Sequence, residues 1–359
     1  MSSFTHQLVM YRDMLKQSFE HAIRTAVDAA YKASDKPQEP DIIAKLVLEA
    51  SLSIGSTLRS VLSPVGITTK VSSIFCHQRP MVEFTDTKEK CELGDVLFVH
   101  QHQYSDGSYH HNALLLQAKM CGNMPYRITT PNERVQLRLY QQWPMFKYFR
   151  TLNLHGKTRD VQPKCRHRGA QYLLINRDGI QSWENSMFGF PHMYCMAVCM
   201  AGETLYAHYS LADELIDFFL GKSGRLFFRT CLDCTEWPCP DKSGKPVFRM
   251  CLDCTGWSRV IWDILEYAYN QAVTFTRRNV GIEKSTRVGG DRVAFLCLSE
   301  SGAVSDSPGG FAEALRRLFE SSGSFDHGGF DYPPQEHDNG DRESGGLSVI
   351  FIETSETRD

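Results

Sequence analysis

Apolar residues recur at three- and four-residue spacing from residue 4 to 33, through Leu8, Met14, Leu15, Phe19, Ile23 and Val27. That period predicts one amphipathic helix. The stretch Lys36-Pro37-Gln38-Glu39-Pro40 reads as a connector. A second helix is expected behind it, capped by Asp41, with Ile42, Ile43, Leu46, Leu52 and Leu58 on its apolar side and Pro64-Val65-Gly66 at its end. From residue 67 the period changes. ITTKVSSIFCH and PMVEF are rich in β-branched and aromatic residues, and DVLFVHQ (95–101) and ALLLQAKM (113–120) are short apolar runs. The polar stretch 104–111 with Gly107 between those two runs predicts a hairpin of central strands.

Further along, residues 131–150 read as a helix opened by Pro131 and interrupted at Pro144. Strands are expected at 170–175, 193–200, 292–298 and 347–353, and helices at 210–220 (capped by Ser210), 258–275 and 310–320. Residues 299–346 are rich in Gly, Ser, Asp and Pro and read as a long mobile loop around the last of those helices. The alternation predicts a mixed α/β fold. Three regions follow: a helical part at 1–66, a core at 67–160 whose first helix is drawn from 40–63, and a C-terminal α/β region at 161–359 with a Cys-rich insertion at 228–257.

Composition narrows the classes. At 359 residues with 42% hydrophobic content the chain can bury a full core without staples. A formal net charge of −3 excludes a polycation, so any nucleic-acid role must come from a local groove. No run of 18 apolar residues predicts a membrane span, and the charged N-terminus lacks the apolar core of a secretion signal. Twelve cysteines without such a signal fit a cytoplasmic protein whose thiols are free or hold metal.

The chemistry concentrates on the predicted hairpin. Asp95 heads one apolar strand, and Gln117 and Lys119 share a face near the end of the next. Pairing through Gly107 brings those ends together. Two readings stand: a structural Lys–Asp pair, or a site for a hard divalent cation with Asp95, Gln117 and the Ala118 carbonyl as oxygen donors and Lys119 beside the reacting group. Downstream, Arg134, Arg138, Lys147, Arg150, Lys157, Arg159, Lys164, Arg166, His167 and Arg168 form a basic stretch suited either to phosphates or to a solvated face. His100, His102, His110 and His111 read as polar turn residues, with metal ligation as the alternative.

This segment, over about residues 40–150, resembles the PD-(D/E)XK (restriction-endonuclease-like) nuclease superfamily. Asp95 matches its strand Asp, Lys119 its Lys, and Gln117 stands where most members have Asp or Glu, as in the QxK variant. The resemblance implies a mixed sheet flanked by helices and a Mg²⁺- or Mn²⁺-dependent phosphodiesterase acting on nucleic acid, DNA in preference to RNA. It also associates the chain with prokaryotic defence effectors. An additional acid is expected, either Glu92, ranked first for its nearness in sequence, or Glu49 from the helix.

A second feature is a duplication, FRTCLDCTEW (228–237) and FRMCLDCTGW (248–257). It supplies Cys231-x2-Cys234 and Cys251-x2-Cys254, with Cys239 as a substitute, a spacing suited to a structural Zn²⁺ in a zinc-ribbon-like insertion. Free thiols on a duplicated strand–loop are the competing reading. The rival to a nuclease is therefore a non-catalytic, zinc-stabilised interaction or nucleic-acid-binding protein. The N-terminal helices admit a homodimer or a partner subunit.

Overall fold

A computed structural model describes residues 3–75, 80–149, 154–181, 193–228, 256–275, 296–298, 304–305, 309–321 and 347–357. The chain opens with α1 (Ser3–Met10) and α2 (Arg12–Ala33), so the single expected helix is broken at Tyr11, whose backbone (φ −101°, ψ 18°) leaves the helical range. α3 (Glu39–Lys45), a π-helical turn (Leu46–Ala50) and α4 (Ser51–Leu62) follow. The second helix thus starts earlier than expected. Gln38 is its cap, Pro40 sits in the first turn, and Asp41 closes a capping box by accepting from Gln38 N at 2.7 Å.

Next come β1 (Ile67–Phe75), β2 (Met81–Phe84), β3 (Lys90–Glu92), β4 (Val96–Gln103), β5 (Tyr109–Met120), β6 (Tyr126–Arg127) and α5 (Pro131–Gln142). β7 (Phe146–Phe149), β8 (Thr158–Arg159), β9 (Ala170–Gln181), β10 (Met193–Cys199), β11 (Thr204–Leu205), β12 (Tyr209–Ser210) and α6 (Leu211–Phe219) continue the chain. After β13 (Arg225–Leu226) the described elements are α7 (Trp257–Phe275), β14 (Leu296–Leu298), β15 (Val304–Ser305), α8 (Gly309–Ser321) and β16 (Ser348–Glu356). The helix expected at 131–150 stops at Gln142. Trp143 takes φ 44°, and Pro144 cannot continue the ladder, so Phe146 begins a strand instead.

The protein is α/β, with a mixed sheet flanked by helices. Among the described residues the large sheet runs β12-β10-β9-β5-β4-β16-β1-β14-β15, with β13 alongside β5. β4–β16 and β5–β9 are parallel and the other pairs antiparallel. The central strands read as continuous apolar runs because both faces are covered. Val96, Phe98, Leu114 and Leu116 pack under α1–α4 and α6. Leu97, Val99, Ala113 and Leu115 pack on the opposite side, with Tyr140 of α5 and Trp262 of α7. β16 lies between β4 and β1, so the sheet closes only when a strand from the end of the chain arrives.

The expected hairpin is present, with Val96 opposite Leu116 and Gln103 opposite Tyr109. Its turn is shorter than read from sequence: Tyr109, His110 and His111 belong to β5. No described helix is long and apolar enough to cross a membrane. Cys231, Cys234, Cys239, Cys251 and Cys254 lie outside the described residues, as does most of 299–346. Cys91, Cys121, Cys165, Cys195 and Cys199 carry free thiols.

Candidate active site

Asp95 stands one residue before β4. Continuing the Val96–Leu116 register by one step puts it opposite Gln117. Its backbone is pinned on two sides: Asp95 N donates to Leu116 O at 2.9 Å, and Asp95 O accepts from Ser348 N at 3.3 Å. The preceding Gly94 allows this approach, because a Cβ there would fall 2.6 Å from Leu115 Cδ1 and 3.0 Å from Tyr140 Oη. Tyr140 in turn donates to Leu93 O at 2.9 Å, tying α5 to the entrance of β4.

The side chains converge as the hairpin predicts. Asp95 Oδ2 accepts from Gln117 Nε2 and from Ala118 N, the latter at 2.7 Å. Gln117 is buried, and its Oε1 has no hydrogen-bond partner among the described residues. Lys119 follows on the same face and lies within electrostatic reach of Asp95, Glu92 and Glu39.

Glu39 was not anticipated. As the first residue of α3 it reaches the end of β5, where its carboxyl group hydrogen-bonds with Asp95 and accepts from Met120 N–H. Glu49, the alternative acid, is half-exposed and spent on Lys45 at 2.5 Å. The helix therefore contributes Glu39, and Glu92 joins from β3. The available signal for Glu39 was the run Pro37-Gln38-Glu39-Pro40, in which a Gln38/Asp41 capping box puts the acid at the mouth of a helix.

Three carboxyl groups and one ammonium lie within electrostatic reach of one another. Burial pushes the Asp95 carboxyl well above the usual carboxylate range, and Glu39 and Glu92 push it further; the Ala118 N–H and Lys119 act the other way. Burial also raises Glu92, against Lys119. Glu39 is pushed up to about 7 by burial and by Glu92, with Lys119 opposing. Such a set holds its negative charges at a cost, which a divalent cation would offset.

The donor chemistry fits Mg²⁺ or Mn²⁺: carboxylate oxygens from Asp95, Glu39 and Glu92, and the unpartnered Gln117 Oε1. Among the described residues no three His, Cys, Asp or Glu side chains are grouped tightly enough to grip a metal by themselves.

The basic stretch is largely spent inside the molecule. Arg138 pairs with Asp86 and Glu89, Lys147 with Glu83, Arg159 with Asp263, Lys164 with Asp160, and Arg168 with Glu214. Arg134, Lys157 and Arg166 keep no ion pair among the described residues. His167 stacks on Trp143 at 5.2 Å, and burial drops it to about 3.

The histidines also differ from the expected turn residues. His100 and His102 are buried on β4, both hydrogen-bonded to Thr354 Oγ1 at 2.9 and 2.8 Å. Comparison of the chain with family models, with curated proteins and with solved structures finds no match.

Proposed function

We propose that this protein is a metal-dependent nuclease with a restriction-endonuclease-like core, hydrolysing phosphodiester bonds, of DNA in preference to RNA. One observation carries the reading. Asp95, Gln117 and Lys119 meet at one end of a buried hairpin, and Glu39 and Glu92 arrive there from two other elements. A purely structural ion pair needs one acid for Lys119, whereas three acids lie within its electrostatic reach and each is raised by burial.

Bound Mg²⁺ or Mn²⁺ would polarise the phosphodiester and acidify the attacking water. Asp95, Glu39 and the Gln117 Oε1 would hold the ion, and Ala118 N–H fixes the Asp95 carboxylate. Lys119 orients the water and offsets the charge that grows on the phosphate oxygens as water attacks phosphorus in line with the leaving oxygen. Glu92 restores the negative charge that Gln117 lacks relative to an acidic residue. Arg134, Lys157 and Arg166 remain for phosphate contact. A structural Zn²⁺ on Cys231, Cys234, Cys251 and Cys254, a cytoplasmic setting, and a second copy or partner on the N-terminal helices belong to the same proposal.

Plasmid DNA, single-stranded DNA and RNA incubated with the protein and Mg²⁺ or Mn²⁺ test the reading. Metal-dependent cleavage lost in both Lys119→Ala and Asp95→Asn supports it; cleavage surviving in either variant, or absent throughout, defeats it. A second reading, a non-catalytic zinc-stabilised interaction protein, is favoured by the internal pairing of Arg138, Lys147, Arg159, Lys164 and Arg168.

A further inference from the structure

The hairpin face under α1 holds titratable groups that the nuclease reading does not use. His100 and His102 sit two apart on β4 and so share that face. Phe4 of α1 stacks on both, at 5.4 and 4.3 Å between ring centres. Phe219 of α6 meets His100 edge-on at 5.2 Å, and each histidine is 1% exposed. Asn112 lies opposite His100 in register, and His110 opposite His102.

The hydrogen bonding suits neutral rings. His100 Nε2 and His102 Nδ1 share Thr354 Oγ1, at 2.9 and 2.8 Å. That hydroxyl has one proton to give, so one neutral ring accepts from it while the other donates to it. A protonated ring carries N–H on both nitrogens. His100 Nδ1 has no acceptor among the described residues, and His102 Nε2 faces only Glu356 Oε1, at 3.7 Å and beyond hydrogen-bond length. Asn112 brings no help: its Nδ2 donates to Phe218 O and Ser223 O at 2.9 and 2.7 Å, and its Oδ1 accepts from Ala113 N.

The surrounding charges do not reverse this. Facing the pair are Glu356 of β16, Tyr104 just past β4, and His110 and His111 of β5, with the rings Phe4, Phe218 and Phe219 from α1 and α6. Burial lowers both imidazoles, His102 to about 4 although Glu356 opposes it, and His110 adds to the effect on each.

Of the covering elements, α1 is the one that can give way. It is eight residues long, buries Phe4 and Leu8, and leaves Val9 and Met10 46% and 58% exposed. Tyr11, outside the helical range, separates it from α2, so it can swing without unwinding that helix. β16, by contrast, is held between β4 and β1. Water admitted by the departure of Phe4 would solvate the N–H groups that the closed face leaves bare. We propose that α1 is an acid-released strap: in mild acid, protonation of the His100–His102 pair lifts Phe4 off the sheet, and α1 swings out about Tyr11. The sign follows from burial. An imidazole held below its ordinary 6.5 while covered takes up a proton on opening, so opening gains as pH falls from 6.5 towards about 4.

The test follows hydrogen exchange in the full chain at about pH 7.5 and about pH 4.5, corrected for intrinsic rates. It reads no cleavage and stands apart from the nuclease assay. His102 alone should raise α1 opening at least about fiftyfold between those values, seen as lost protection over residues 3–10 while β4 and β16 keep theirs. His102→Gln should cut that response at least about tenfold. Thermal melts check folding, and His100→Gln, expected to act likewise, decides the matter should His102→Gln unfold. A change in α1 protection under about threefold, a loss shared equally by β4 and β16, or a response undiminished in a variant that folds would each overturn the proposal.

Discussion

The two ends of the β4–β5 hairpin bury polar groups in opposite ways. At the Gln103 end, on the face under α1, His100 and His102 share Thr354 Oγ1, and Phe4 stacks on both rings at 5.4 and 4.3 Å. Burial keeps both imidazoles uncharged at neutral pH, with His102 lowered to about 4. A shared hydroxyl and aromatic contact hold one nitrogen and one face of each ring, while His100 Nδ1 and His102 Nε2 keep no hydrogen bond. At the Asp95 end, three acids are packed around one lysine, and a buried amide oxygen is left without a partner. The same two strands therefore carry one polar cluster that burial leaves uncharged and one that gathers three acids near an ammonium. Clustered acids held protonated at a strand end are the physical mark of a site, whereas buried neutral histidines by themselves are not.

Lys119 and Asp95 separate the two ends by the largest effect. Lys119→Ala and Asp95→Asn should each lower metal-dependent cleavage by roughly a thousandfold or more, the scale of losing a preorganised electrostatic group. Thermal melting in EDTA should rise in Asp95→Asn, which removes a buried acid, and fall in Lys119→Ala, which takes the opposing cation from three acids. A variant with normal cleavage would remove the functional meaning of the crowded end.

At the other end the loss should appear in stability. Phe4→Ala exposes the histidine pair and should cost about 3 kcal/mol in urea unfolding, with cleavage per folded molecule unchanged. A cost well under about 1 kcal/mol would mean that α1 is not part of the cooperative unit.

Glu39 links the two measurements. Its folded pKa of about 7 exceeds the ordinary 4.5, so the native state binds its proton more tightly than the unfolded chain does. Ionising it costs native stability; that cost is absent below about pH 4.5 and complete above about pH 7. Glu39→Gln should therefore raise stability at pH 8 by about 1 kcal/mol and hardly at all at pH 4, while cleavage falls. Equal shifts at both pH values would disprove the linkage. The smallest effect belongs to Glu49→Gln, which loosens one half-exposed i,i+4 pair and should move stability by at most ~0.5 kcal/mol, with cleavage intact.

Local pattern made much of this legible. The apolar runs flanking Gly107 specified the hairpin, and its period-two alternation specified that Gln117 and Lys119 share a face with Asp95 nearby. The Ser210 cap is seen accepting from Asp213 N at 3.0 Å. Glu39 was hidden because it is far from Asp95 along the chain, in a segment that reads as a connector. The internal pairing of the basic stretch was not legible, because a run of Lys and Arg has no visible partners until Glu83, Asp86 and Asp263 are folded against it.

What the residues settled alone was periodicity, caps, turn and the pairing of neighbours, all governed by contacts between residues close in sequence. Tertiary structure alone decided that β16 closes the sheet beside β4, that α3 delivers Glu39, and that His100 and His102 are buried beneath Phe4. Those outcomes depend on which distant surfaces exclude water together, and burial raises or quenches a side chain's charge only once the whole layer is in place.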